Sequence, residues 1–296
     1  MFTLIDTKYL KSLGSDLETR AWKGVQKIMA ANGHVAGLKR PYTQQQALDT
    51  PSRRLYFMSC PYCQRTTFWT STKLPKKAMV PRFCPFCGEM DPWDRRLEGG
   101  LKTATLIHLA DDLEQAAVQQ DPGSLNSQRA RVLREQAVVT TATEIEVFMR
   151  DAYAISMNAK YVKEGETLYP RFHKDGSNRF SNIEKSVKAL GDDLGIDLRS
   201  LTDKDDLELL DLLSAKRNAI VHNSGVADRR FMTRCGQLAE VLNDLKQAPR
   251  QGRPIPITST ELSRATAAAD DVTQAMRGEL EKALEPRTLE RFLKAL

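Results

Sequence analysis

The stretch Ala215–Gly225, AKRNAIVHNSG, decides how this chain is read. It closes a run of leucines, Leu207, Leu209, Leu210, Leu212 and Leu213, yet carries an arginine, a histidine and two asparagines. At about 100° per residue, Leu210, Leu213, Ile220 and Val221 fall on one face with Arg217 in its middle. Leu209 and Leu212 fall on the other side, so a broadly buried helix is expected. A guanidinium cannot shed its charge, so among leucines it must be paired or put to use. On an ideal helix His222 points about 140° away from Arg217. Asn223 and Gly225 can bend the chain and bring the imidazole back, so that the two side chains converge on one anion. A plain helix end explains the same residues: His222 favours the negative end of the dipole, and Arg217 snorkels or pairs with a carboxylate. Four histidines in the chain make an Arg-x4-His spacing a weak motif by itself.

Outward from this stretch the chain reads as helical. Upstream, a long helix is expected from Asn126 or Ser127 to about Lys160, with Ile145, Phe148, Ala152, Ile155 and Ala159 as its apolar stripe. Residues 163–180 are a polar connection, a short helix is expected over 181–190, and Thr202 or Asp203 is placed to cap the leucine helix. Residues 227–247 and 259–284 read as two further helices, separated by the breaker-rich APRQGRPIP. Nearer the N-terminus, apolar residues at three- and four-residue steps predict a helix over 7–32, residues 35–52 read as loop, and 99–120 as one helix.

Residues 53–96 have another character. Short aromatic runs, LYF and TTFWT, alternate with Pro and Cys and predict short strands and turns. The spacing is Cys60-Pro-Tyr-Cys63, twenty residues, then Cys84-Pro-Phe-Cys87-Gly88. Two C-x2-C knuckles at this spacing suit tetrahedral Zn²⁺, and the segment resembles a zinc ribbon. Four thiolates leave no open coordination position, so one structural Zn²⁺ per chain is expected. Cys235 stands apart as a core thiol. Between 51 and 96 nine cations (Arg53, Arg54, Arg65, Lys73, Lys76, Lys77, Arg82, Arg95, Arg96) face three anions (Glu89, Asp91, Asp94), an excess equal to the chain's formal +6. Aromatics including Tyr56, Tyr62, Phe68, Trp69, Phe83 and Trp93 are interleaved with them. Such a surface suits phosphate contacts and base stacking, although rings in a domain this small also serve as its core.

The composition, 41% hydrophobic and 28% charged, is that of an ordinary globular chain. No apolar run of about 18 residues exists, so no membrane span is expected. No basic segment followed by an apolar core opens the sequence, so a cytoplasmic location is expected.

RNAIVHNSG, closing a Leu-rich helix in an all-α segment, resembles the HEPN family (higher eukaryotes and prokaryotes nucleotide-binding domains), which carries an Arg-x4-6-His motif. GVADRRFM is similar to the family's continuation into its next helix, and TTATEIEVFMRDAY to its first long helix. The resemblance implies a metal-independent endoribonuclease acting on RNA, a homodimer whose two motifs form one composite site, and a toxin, antiviral or RNA-processing role with an antitoxin or regulatory partner. Other members of the family are inactive or only bind. The catalytic candidates are Arg217, His222 and Asn218, with Asn223 as a further orienting amide. Glu144, at the edge of the long helix's apolar stripe, is the better-placed carboxylate if one reaches Arg217 or His222, an ordinary boundary glutamate being the plainer reading, and Glu146 is expected nearer solvent. His173, between cations in a loop, reads first as a solvated loop histidine, with an RNA contact as the alternative. A non-catalytic RNA- or protein-binding adaptor and a nucleotide-binding regulatory subunit are the alternatives.

The fold expected is mainly α: an all-α helical bundle of HEPN type preceded by a small β zinc ribbon, with extra N- and C-terminal helices. The divisions are an N-terminal helical segment over 1–50, the ribbon over 51–96, a connecting helix over 97–125, the bundle over 126–250 and a C-terminal extension over 251–296.

Overall fold

The structure is a computed structural model and describes residues 3–6, 54–60, 62–63, 66–71, 83–84, 87–118, 125–161, 179–180 and 182–295. The helix expected over 7–32 and the loop over 35–52 lie outside them. The described chain is mainly helical. None of its helices is long and apolar enough to cross a membrane.

The chain divides into two compact units. The first comprises residues 1–91, 154–172 and 279–296. It holds a three-stranded antiparallel sheet, β1 (Thr3–Asp6), β2 (Arg54–Ser59) and β3 (Thr66–Ser71), in that order. β2 carries the aromatics Tyr56 and Phe57, and β3 carries Phe68 and Trp69 with three threonines, residue types that suit a pleated surface. They pair from Arg54 with Ser71 to Ser59 with Thr66. β1 was not expected: Thr3 pairs with Ser59 and Asp6 with Tyr56, so the first residues add a strand to this sheet.

The second unit comprises residues 92–153 and 173–278. Its helices are α1 (Pro92–Val118), α2 (Leu125–Tyr161), α3 (Ile183–Leu194), α4 (Leu198–Leu201), α5 (Lys204–Asn223), α6 (Arg229–Gln237), α7 (Ala239–Asp244) and α8 (Ser259–Ala295), with the last turns of α2 and α8 counted in the first unit. Segments 97–125 and 251–278 therefore belong to the same compact unit as the bundle. α1 also starts earlier than the ribbon boundary at 96. Pro92 occupies its first turn, where a missing N–H costs nothing, and Asp94 complements the dipole.

Side-chain caps set the other helix starts. Asn182 accepts from Lys185 N, Asp203 from Asp205 N and Asp228 from Phe231 N. Gly195, at φ 72°, ends α3 in the left-handed conformation. The single helix expected over 227–247 is two, because the chain turns at Leu238, whose N–H is shared between Arg234 O and Cys235 O.

The core of this unit joins Val138, Ile145, Phe148 and Met149 of α2, Leu209, Leu210, Leu212 and Leu213 of α5, and Ala265, Ala269 and Val272 of α8, all buried. The leucine helix is buried broadly, as expected, but its most buried charge is not Arg217. Lys216 is fully enclosed. Its Nζ lies 2.7 Å from Gln247 Oε1, 2.6 Å from the Pro256 carbonyl and 2.6 Å from Glu261 Oε1, and Glu261 is equally enclosed. Gln247 Nε2 donates to Glu261 Oε2 at 2.8 Å, which closes the network. Burial pulls the Lys216 pKa down, and Glu261 opposes it.

The start of α1 is held by charge as well. Arg96, 2% exposed, pairs with Asp270 of α8 at 2.8 Å. Arg95 pairs with the buried Asp151 of α2 at 2.7 Å. Arg277 lies over the Trp93 ring at 4.9 Å. Arg95, Arg96 and Trp93, counted with the basic aromatic ribbon in the sequence, are fasteners of the helical unit.

Removing one partner of a buried pair strands the other's charge. Lys216→Met or Glu261→Gln is expected to lower the unfolding free energy by about 3–5 kcal/mol. The double replacement Lys216→Met with Glu261→Leu should recover much of it. Urea unfolding of the three variants checks this.

Candidate functional site

Two places in the described structure concentrate chemistry. The first is a groove of about 510 Å³ between α5 and the start of α6. Arg217, Asn218 and His222 of α5 line it, with Asn182, Arg230 and Arg234. The three motif residues thus open onto one space. The burial differs from expectation. Arg217 is 27% exposed and turned toward α2, and Val221, placed on the apolar face by periodicity, is 52% exposed. One residue of rotation, about 100°, separates the lysine that enters the core from the arginine that reaches the groove.

Arg217 is aimed by two neighbours. Nη1 donates to Asn218 Oδ1 at 2.9 Å, and Nη2 lies 3.7 Å from Glu146 Oε2. The carboxylate that reaches the motif is therefore Glu146, not Glu144. α2 is covered on two sides, and the stripe alone does not tell which edge faces which neighbour. Glu144 lies against α1, so close to Gly99 that a methyl group there would sit 2.4 Å from its Cγ. Burial pushes the Glu144 carboxyl up, and Lys102, Arg96 and Arg95 oppose the shift. Burial likewise pushes Glu146 up, and Arg217 pulls it back.

His222 is exposed on the last turn of α5, and among the described residues its imidazole has no hydrogen bond. Asn223, read from the sequence as an orienting group, instead donates from Nδ2 to Val226 O at 2.6 Å and holds the turn. That turn needs two left-handed residues, Ser224 at φ 50° and Gly225 at φ 72°. Gly225 N donates to Ala219 O at 3.1 Å, and a Cβ at Gly225 would meet Glu135 Oε1 at 2.9 Å. Beyond it, Ala227 N to Arg253 O, Gly252 N to Ala227 O and Ile255 N to Gly225 O tie the exit from α5 to the segment leading into α8.

The sequence pattern does not mark Arg230, Arg234 and Asp211 as groove residues. Arg234 Nη2 bonds Asp211 and lies 3.2 Å from Glu184 of α3. Burial pushes the Asp211 carboxyl up, against the pull of Arg234. The arginines are visible in ADRRFMTR, but only the packing of α6 on α5 puts them beside the motif. The groove gathers Arg217, Arg230 and Arg234 against Asp211 and Asp228, with His222 at the edge, an arrangement suited to an anion.

The second place is the cysteine cluster. The sulfur atoms of Cys60, Cys63, Cys84 and Cys87 lie within 4.8 Å of one another, and Cys60–Cys87 and Cys63–Cys84 are each 3.7 Å apart. A tetrahedron with metal–sulfur bonds of about 2.3 Å has edges of roughly 3.8 Å, so these four thiols could hold a metal ion. The second knuckle is shaped by Gly88 at φ 76°, with Gly88 N donating to Cys84 O and Cys84 N to Glu89 O. The first is anchored through Tyr62, whose hydroxyl donates to Met90 O at 2.9 Å and whose carbonyl accepts from the buried Asn158 at 3.2 Å. Hydrogen bonds with Cys63 and Cys84, and then burial, push the Cys60 thiol up. Cys235 is buried in α6 as a core thiol and is not part of this cluster.

Tyr62 is thus an anchor rather than an exposed stacking platform. Phe83 is 56% exposed. Arg53, Arg65, Lys73, Lys76, Lys77 and Arg82 lie outside the described residues, as does His173.

Compared with known proteins, the chain matches no family model, no curated protein and no solved structure.

The protein is expected to carry about one divalent metal ion per chain, and Cys63→Ser with Cys84→Ser to lose it. Elemental analysis of the purified proteins, beside their thermal unfolding, checks both.

Proposed function

We propose that this protein is an endoribonuclease of HEPN type, cleaving RNA by attack of its own 2′-hydroxyl. The observation that carries the reading is the opening of Arg217, Asn218 and His222 onto one cationic groove. In such a reaction the 2′-oxygen bonds to the adjacent phosphorus as its proton leaves to a base. The bond from phosphorus to the 5′-oxygen breaks, and that oxygen takes a proton from an acid. The products are a 2′,3′-cyclic phosphate and a 5′-hydroxyl.

His222 supplies proton transfer, since an imidazole carries one nitrogen that can accept a proton and one that can donate it. It is the base if it faces the 2′-hydroxyl and the acid if it faces the leaving oxygen. Arg217 meets the charge that grows on the phosphorane with its fork, and Asn218 and Glu146 keep that fork in one orientation. Arg230 adds a second cation for a neighbouring phosphate. In this reading two protomers place both motifs at one composite site, so that a second His222 supplies the complementary proton-transfer role. An antitoxin or regulatory partner would act by covering that site. The cysteine cluster takes one Zn²⁺, which stiffens its small β unit, and the basic segment around it helps hold RNA. A cytoplasmic location suits this work.

A non-catalytic adaptor is the second reading. It is favoured by the partners the groove's cations already have: Arg217 has Glu146 and Asn218, and Arg234 has Asp211 and Glu184.

The test is incubation of the purified protein with total RNA in excess EDTA, beside Arg217→Ala and His222→Ala, with end-group analysis. Cleavage by the parent leaving cyclic phosphates is expected, with each variant slower by about 10²–10⁴-fold. Equal cleavage by all three proteins would remove both residues from the mechanism. RNA binding kept by every protein with cleavage by none would favour the adaptor.

A further inference from the structure

A second cavity adjoins the groove. It has a volume of about 490 Å³, lies between α3, α5 and α6, and shares Asp211 and Arg234 with the groove's lining. Its floor is hydrocarbon: Ile183, Val187, Leu207 and Leu238, all buried. Its rim sets three cations, Arg199, Lys204 and Arg234, against three carboxylates, Glu184, Glu208 and Asp211.

That balance separates the two spaces chemically. The groove's lining sets Arg217, Arg230 and Arg234 against Asp211 and Asp228, and Arg230 has no ion pair among the described residues, so a phosphate finds a cation there. The neighbouring cavity is neutral over an apolar floor, so a phosphate gains little there. A flat heteroaromatic ring fits it, with its faces on hydrocarbon and its edge among donors and acceptors. Arg234 stands at the joint, 27% exposed, bonded to Asp211 and Gln237 and 3.2 Å from Glu184. A strand leaving the groove toward the cavity passes this guanidinium. Along α5, Glu208 and Asn218 are about 15 Å apart by helical rise, so the cavity holds a residue beyond the cleaved linkage and not the reacting nucleotide itself.

We propose that the α3–α5–α6 cavity is a nucleobase subsite for single-stranded RNA, seating a base that flanks the cleaved phosphate while Arg234 contacts a phosphate between them. It rests on the ribonuclease reading for its class of ligand. The subsite gives the enzyme a preference for unpaired RNA, because a base held in a duplex cannot leave its stack to enter.

The test uses the full chain carrying His222→Ala, titrated with single-stranded oligoribonucleotides of mixed sequence in which one base at a time is replaced by an abasic ribose. Loss of the base at one position is expected to weaken binding about tenfold, as when an apolar ring loses its burial. Adding Val187→Phe, which fills the floor, should bring the intact RNA down to the abasic affinity and leave abasic binding unchanged. An added ring can also strain the fold, so a second measurement keeps the floor native. RNAs bearing single 4-thiouridines are photocrosslinked to the His222→Ala chain, and the adducts are expected on peptides containing Ile183–Val187 or Arg234–Leu238. Equal affinity across the abasic series with adducts only elsewhere overturns the subsite, as does failure of every RNA to bind. If the parent cleaves RNA while the abasic series is flat, the subsite alone falls. If the series is position-dependent but the parent leaves RNA intact, the subsite stands and the nuclease reading falls.

Discussion

The Lys216 ammonium is the constraint on which the helical unit turns. A charge enclosed among leucines must find acceptors, and here they come from places far apart in the chain: Gln247 after α7, the Pro256 carbonyl, and Glu261 on α8. Satisfying one ammonium therefore draws the segment before α8, and the first turn of α8, onto α5. The backbone bonds of Gly225, Ala227 and Ile255 fix that segment against the exit from α5. The last turn of α5, with His222, is held from both sides by groups that take no part in the groove.

That rigidity is what an anion site needs. Arg217 is aimed by Glu146 from α2 and by its neighbour Asn218, and Arg234 by Asp211 from α5 and Glu184 from α3. The cations are thus set before an anion arrives, and a phosphate competes with carboxylates that are already in place. Such competition favours a ligand carrying several contacts at once, as a polymer does, over a free ion.

Much of this was legible. The leucine run, the capping Asp203 and the HNSG exit gave α5 its bounds, and two C-x2-C knuckles brought four thiols together. The long stripe of α2 held at Ile145, Phe148, Ala152 and Ile155. What failed did so for one physical reason: periodicity says which residues share a face but not which neighbour covers it. Lys216 and Arg217 differ by a single step around the helix, as do the edges carrying Glu144 and Glu146 by two. Only the positions of α1 and α8 decide which of each pair meets the core, a neighbouring helix or the groove. The split between α6 and α7 was hidden too, because Leu238 carries no breaker signature.

The distance in sequence between Lys216 and Glu261 also orders events during synthesis. The leucine helix leaves the ribosome before α8 exists, so for that interval its lysine has no counter-charge and stays near water. The ion pair that encloses Lys216 forms only once Glu261 has been added to the chain, whereas the groups that shape the Arg217–His222 turn all precede α8.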